Sequence, residues 1–306
     1  MLFRSLCIGG NDFLGSYHTS QNASQRAAVW AEIRANTQAI VDHILAQRVD
    51  VKVVLCGYTY LNFVESVANN IVYAARWNEI GQPSASELNG ALAELGAEKL
   101  ALAQATPRCE YVQNFGLMQR AYGYTLGDTV MLTPGEAPRP GTAATDYQPF
   151  PGGVPSFPAP PEAMLEVDGG PDDVHLSPMG YYHVAVNCIT QYFGPWIDHP
   201  ETPYVTGITA LTPSPTSGDT AEFSVVFSEN VTGVDSADFV VDAREVTDAT
   251  VIGVAGEGAT YTVTTTTGVG GGAISIDFRD NDTVYNAYWN VAGGPGTRNA
   301  DYTGGP

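Results

Sequence analysis

Val49 to Gly57 reads Val-Asp-Val-Lys-Val-Val-Leu-Cys-Gly. β-Branched and apolar side chains fill it with little alternation, the pattern of a strand buried on both faces in a parallel sheet. Upstream, Asn22 to Arg48 carries Val29, Ile33, Ile40 and Ile44 on one helical face. Downstream, Ser84 with Glu87 three residues later makes a capping box. Leu88, Leu92, Leu95 and Leu102 then recur at helical spacing. Cys109 to Phe115 is another short strand. Ser177 before Pro178 is an N-cap with proline at the first helical position, and the last helix of this half runs through Tyr181, Ala185, Cys188 and Tyr192. Alternating strands and helices predict an α/β layer with a parallel sheet.

The chain has 306 residues, enough for two domains. Its apolar share of 44% excludes disorder as the dominant state. No apolar run is long enough to span a bilayer. The net charge of −20 argues against nucleic acid and anionic membrane surfaces as partners. Only Lys52 and Lys99 among the basic residues are lysine, a balance that suits a secreted protein or a salty habitat. The four cysteines, Cys7, Cys56, Cys109 and Cys188, lack zinc spacing. They read as buried free thiols, with a disulfide between two of them left open. Met1 to Gly10 lacks the layout of a secretory signal. It reads as the tail of a buried strand, with the sheet's first strands expected upstream and an unpaired edge from Leu2 to Ile8.

Composition changes near residue 200. Half of the chain's 20 prolines lie between Pro134 and Pro171, in a stretch without periodicity that reads as a lid, a substrate rim or a plain insertion. Beyond Tyr204, short alternating strands dominate. Phe223, Val225 and Phe227 share one face, as do Tyr261 with Val263, and Ile274 with Ile276 and Phe278. These predict an all-β sandwich over 205–306, after a linker at 198–204.

Two short motifs carry chemistry. Gly9-Gly10-Asn11-Asp12 follows a strand end, where glycines let the backbone approach a ligand and Asn11 can aim its amide at developing negative charge. Asp172-Asp173-Val174-His175 precedes a helix start, and Asp172 three residues before His175 suits a carboxylate orienting a general base. In this order, Gly-x-Asn-Asp after a strand and Asp-x-x-His before the last helix resemble the SGNH (GDSL-like) hydrolase family. Gly9, Asn11 and Asp12 carry the resemblance in one block, Asp172 and His175 in the other, with Gly180 following as in the family. It covers about residues 1–197.

The likeness implies a flavodoxin-like three-layer sheet and an esterase or acyl hydrolase. His175 would be its base, Asp172 the orienter and Asn11 an oxyanion donor, with no metal or organic cofactor. The substrate would be an ester of a small molecule, an acetylated glycan or a lipid. The family's nucleophile, the Ser of a Gly-Asp-Ser motif, precedes the Asn block and has no counterpart here. Gly127-Asp128-Thr129 and Gly218-Asp219-Thr220 match only in letters, and Ser16 and Ser20 do not inherit the role. The chain as it stands is therefore expected to be inactive.

Ile208 to Phe239 is similar to the bacterial Ig-like repeats of secreted and surface proteins. This implies an extracellular or cell-surface location and a spacer or adhesive role toward a surface or glycan. The repeat's last strand is expected after Pro306. Asp277, Asp280 and Asp282 read as a solvated acidic turn, with calcium binding the alternative. Tyr58 and Tyr60, after the strand ending at Cys56, are placed to line a pocket at the carboxyl end of the sheet. Trp30 and Trp77 read as core, and His18, His43, His183 and His199 as structural. The rival reading is a non-catalytic extracellular binding or surface protein with a relic hydrolase layer. A phosphate-binding α/β protein is weaker, because no P-loop is present.

Overall fold

A computed structural model describes residues 2–126, 129–132, 150 and 154–304. The chain divides into two compact units, one of Leu2–Ala46 with Val51–Ile197, the other of Gln47–Asp50 with Asp198–Pro306.

The first unit opens with β1 (Leu2–Leu6), α1 (Gly10–Ser16), α2 (Ala23–Leu45) and β2 (Val51–Cys56). Next come α3 (Phe63–Asn69), α4 (Ile71–Glu79), α5 (Ala85–Ala105), β3 (Cys109–Val112) and α6 (Leu117–Tyr122). The hairpin β4 (Tyr124–Leu126) and β5 (Thr129–Leu132) follows. A second hairpin, β6 (Met164–Val167) and β7 (Gly170–Leu176), leads into α7 (Pro178–Cys188), a π-helical turn over Ile189–Phe193 and α8 (Gly194–Asp198). Most of the proline-rich stretch lies outside the described residues, as does the Gly127-Asp128 pair.

β1, β2 and β3 form a parallel sheet in that order. Every residue of β2 is buried. Alternation along the strand explains how. Val53 and Leu55 face one way and join Val41 and Leu45 of α2, and Leu102 and Ala103 of α5, in one apolar cluster. On the other face, Lys52 lies under the Trp196 ring of α8, 5.3 Å from its centroid, and Cys56 meets Cys188 of α7. Helices thus cover both faces. β1 pairs with β2 alone among the described strands, so its outer edge is open.

Local signals set the helix ends. Asn22 and Gln25 form a capping box at α2, and Ser84 and Glu87 at α5. Ser177 caps α7 by accepting from the Gly180 amide. The buried face of α2 is Trp30, Ile33, Thr37, Val41 and Leu45. Ile40, expected on that face, is 44% exposed. The helix turns Val41 inward instead, because Trp30 and Ile33 fix its phase.

The second unit holds β8 (Val205–Ala210), β9 (Thr220–Phe227), β10 (Val231–Thr232), β11 (Phe239–Thr247) and β12 (Val251–Glu257). It continues with β13 (Thr260–Thr266), β14 (Val269–Phe278), β15 (Tyr285–Asn286) and β16 (Tyr302–Thr303). Its main sheets are antiparallel, ordered β12-β13-β9-β8 and β11-β14-β16. Phe223, Val225, Phe227 and Val263 from the first sheet meet Phe239, Ile276 and Phe278 from the second in one core. The Phe227 ring stands edge-on to Phe278 at 5.5 Å.

The acidic turn is not solvated. Asp277 and Asp280 are buried. Asp277 accepts from Arg279 at 2.9 Å and from the Gly304 amide at 3.1 Å, and Asp280 accepts from the Asp282 amide. These carboxylates stitch β14 to the following loop. Among the described residues no cluster of three His, Cys, Asp or Glu side chains is placed to hold a metal, and no helix is long and apolar enough to cross a membrane.

Burial ranks two α-helical positions of similar chemistry. Leu102→Ala, in the cluster under β2, is expected to cost about 2–5 kcal/mol, whereas Ile40→Ala should change stability by no more than about 0.5 kcal/mol. Urea denaturation of the two variants checks the assigned face of α2, and equal losses would refute it.

Candidate active site

β6 and β7 pair across the two-residue turn Asp168-Gly169, where both residues have positive φ, as type I′ hairpins require. Asp172 to His175 therefore lie on a strand, not on the loop that their position before a helix suggests. The Asp172 carboxylate curls back on its own strand. It accepts the amides of Val174 at 2.7 Å and His175 at 2.6 Å. It accepts the Tyr73 hydroxyl of α4 at 3.0 Å. The His175 ring places Nδ1 3.1 and 3.2 Å from its two oxygens. Burial alone would raise its pKa, but the amides of His175 and Val174, the imidazole and the Tyr73 hydroxyl outweigh it and hold the group below the usual carboxylate range.

The neighbouring Asp173 is fully buried. Burial pushes its carboxyl up to about 6 against the pull of Arg76, which donates to both its oxygens at 3.0 and 2.9 Å. Tyr73 and Arg76 stand one helical turn apart, so α4 grips both aspartates with one face. Asp172 fixes Nδ1, leaving Nε2 of the exposed His175 ring as the nitrogen that can take a proton.

The facing wall is the turn from β1 into α1. Gly9 has φ of 91°, a left-handed conformation suited to glycine. The Gly10 amide donates to the Tyr58 hydroxyl at 2.7 Å. A Cβ on Gly10 would lie 2.7 Å from that oxygen, so any larger residue would push the Tyr58 ring aside. Asn11 and Asp12 follow, both exposed. Beneath the turn is Lys99, 2% exposed, donating to the Ile8 carbonyl with its ammonium 4.4 Å from the Tyr58 ring centroid. Burial lowers the lysine to about 8, against the pull of Cys7, Cys56 and Asp12. Burial, with Cys7 second, pushes the Tyr58 phenol up.

Between the two walls is a cavity of about 840 Å³. Asn11, Tyr58 and His175 all line it, although Asn11 and His175 are far apart in sequence. Val174, Leu176, Tyr181, Val184, Ile189 and Phe193 supply apolar surface. Asp172 stands behind His175. Tyr60 does not join them: it is 1% exposed and stacks on Phe115 at 5.0 Å, a core residue. Ser16 and Ser20 are also off the cavity, and the Ser20 hydroxyl bonds His18 instead.

Several cavity groups escaped the sequence reading. Ser5, Cys7, Cys56 and Cys188 all line it. Cys7 is exposed, contrary to the expectation of burial, whereas Cys56, Cys109 and Cys188 are buried, and all four are free thiols. The signal lay in the strand ends. Cys7 follows β1 and Cys56 closes β2, and the register pairs Leu6 with Leu55, so the two thiols are neighbours at the carboxyl end of the sheet. Tyr73 and Arg76 left no such signal, since their partners sit 99 and 97 residues away.

The chain matches no family model, no curated protein and no solved structure.

Because the folded pKa of Asp172 is depressed, the stability it contributes is full above the ordinary carboxylate value and is lost as pH falls through the depressed one. Tyr73→Phe removes one donor. It is expected to move Asp172 back toward the ordinary value and to cost about 1 kcal/mol at neutral pH, a loss that shrinks on acidification. Carboxyl titration by NMR with urea unfolding at two pH values checks this; an unmoved Asp172 would refute the Tyr73 bond.

Proposed function

We propose that the first unit is an ester hydrolase layer of the SGNH (GDSL-like) kind on a flavodoxin-like sheet, followed by an Ig-like sandwich. The observation that carries the reading is the shared cavity. A histidine with Nδ1 tied to a buried carboxylate faces the same space as an exposed asparagine on a glycine turn. In the proposed chemistry a nucleophile attacks an ester carbonyl. His175 takes its proton at Nε2, and the ionised Asp172 stabilises the imidazolium. Asn11 donates its amide N–H to the developing oxyanion. His175 then returns the proton to the departing alkoxide. Apolar walls suit an acyl or alcohol group of an ester, whether a small molecule, an acetylated glycan or a lipid. No metal or cofactor takes part. The acidic, lysine-poor composition and the Ig-like likeness support an extracellular or cell-surface setting.

No Gly-Asp-Ser serine is present in the 306 residues. The chain alone is therefore expected to cleave p-nitrophenyl acetate at the same rate as its His175→Ala variant. Activity lost on that substitution would place the nucleophile within the chain. In protein expressed from its locus, with any coding sequence that precedes codon 1, His175→Ala should slow turnover at least about 100-fold. Asn11→Ala should slow it by about 100- to 1000-fold. Ester turnover that is absent there, or indifferent to His175→Ala, would overturn the proposal. It would favour a non-catalytic extracellular binding protein, the reading that the missing nucleophile supports.

A further inference from the structure

Cys56 closes β2 and Cys188 closes α7, and their Sγ atoms lie 3.5 Å apart. Both side chains are buried, 3% and 4% exposed, yet both border the cavity, which gives a small solute a path to them. The Ser5 hydroxyl stands 3.0 Å from the Cys56 sulfur. The two thiols are unequal. The bond from Cys188 outweighs burial and, with Ser5 and Lys99, brings Cys56 down to about 7, whereas Cys188 is driven up. One sulfur is suited to attack and the other to follow. A disulfide requires about 2.05 Å between sulfurs, so the pair at 3.5 Å must close by about 1.5 Å. Cys7 lines the same cavity, but although its side chain is exposed at the surface, desolvation by the surrounding cavity wall and then the neighbouring Cys56 raise its thiol. Cys109 belongs to the cluster on the opposite sheet face.

We propose that Cys56 and Cys188 form a redox couple that hydrogen peroxide closes to an intramolecular disulfide. The Cys56 thiolate attacks one peroxide oxygen and the O–O bond breaks. This gives a sulfenic acid at Cys56 and hydroxide, which takes up the proton that the thiol released and becomes water. The Cys188 sulfur then attacks the Cys56 sulfur, the S–O bond breaks, and the departing oxygen leaves as a second water with the Cys188 proton. Two thiols and one peroxide yield one disulfide and two waters. The bond ties the carboxyl end of β2 to the helix that starts three residues after His175. The couple stands on its own geometry and does not depend on the hydrolase reading.

The test treats the 306-residue chain with one equivalent of peroxide, alkylates remaining thiols after denaturation and maps peptides by mass spectrometry. The free-thiol count should fall from four to two, with a Cys56–Cys188 crosslink that dithiothreitol reverses. Cys188→Ser should leave a dimedone-trappable sulfenic acid at Cys56. Cys56→Ser should slow oxidation of Cys188 at least tenfold, and Cys7→Ser should leave the crosslink intact. A crosslink through Cys7, a dimer joined between chains, Cys56 stopping at sulfinic acid in the unsubstituted chain, or four thiols still alkylated would each overturn the couple. The mapping on the unsubstituted chain decides the matter even if a variant fails to fold.

Discussion

A strand buried along both faces cannot stand alone, and β2 is such a strand. Its Val53–Leu55 face demands apolar cover, which α2 and α5 supply through Val41, Leu45 and Leu102. Its other face carries Lys52 and Cys56, and α7 with α8 must close over them. That requirement fixes where α7 begins. The Ser177 cap holds its first turn, so the two residues before it, His175 and Leu176, are delivered to the carboxyl end of the sheet. The β1–α1 turn reaches the same end because β1 runs parallel to β2 in register. Asn11 and His175 thus share a cavity as a consequence of how β2 is buried. Ligand sites at the carboxyl ends of parallel strands follow the same geometry.

Electrostatics then sharpen the place. Two adjacent aspartates on β7 are both buried, and their pKa values move in opposite directions. Asp172 collects two backbone amides, a phenol and an imidazole, and stays charged. Asp173 has one cation beside it and is pushed toward neutrality. Asp172, the carboxylate that stays ionised to lower pH, is the one that holds the histidine. Beneath the opposite turn, Lys99 adds positive potential below Asn11 while its donation to Ile8 keeps the backbone in place. In the proposed hydrolysis a carbonyl oxygen gaining charge near Asn11 would meet an amide donor.

Much of this was legible in the residues because the signals were local. The capping boxes at Asn22 and Ser84, the leucine spacing of α5 and the continuous apolar run of β2 depend on near neighbours. In the second unit, strict alternation in β9 and β13 placed Phe223 and Val263 inward without tertiary knowledge. Errors arose where a residue's fate depends on a distant partner. Ile40 fits the helical period but loses its place to Val41 once Trp30 is anchored. Tyr60 sits two residues beyond Tyr58, yet it finds Phe115 and leaves the cavity. Asp277 and Asp280 look solvated until Arg279 and the amides of the return loop are beside them.

The cavity's own nucleophilic atoms are each engaged in a way that matters for chemistry. The Ser5 hydroxyl leans on the Cys56 sulfur. The Tyr58 oxygen accepts the Gly10 amide, and burial keeps the phenol protonated. Desolvation by the cavity wall raises the Cys7 thiol, and Cys56, the sulfur most ready to ionise, is buried and turned toward Cys188. What faces the open space is the His175 ring on one wall and the Asn11 side chain on the other. In the proposed hydrolysis both groups act only once a hydroxyl and an ester carbonyl meet between them.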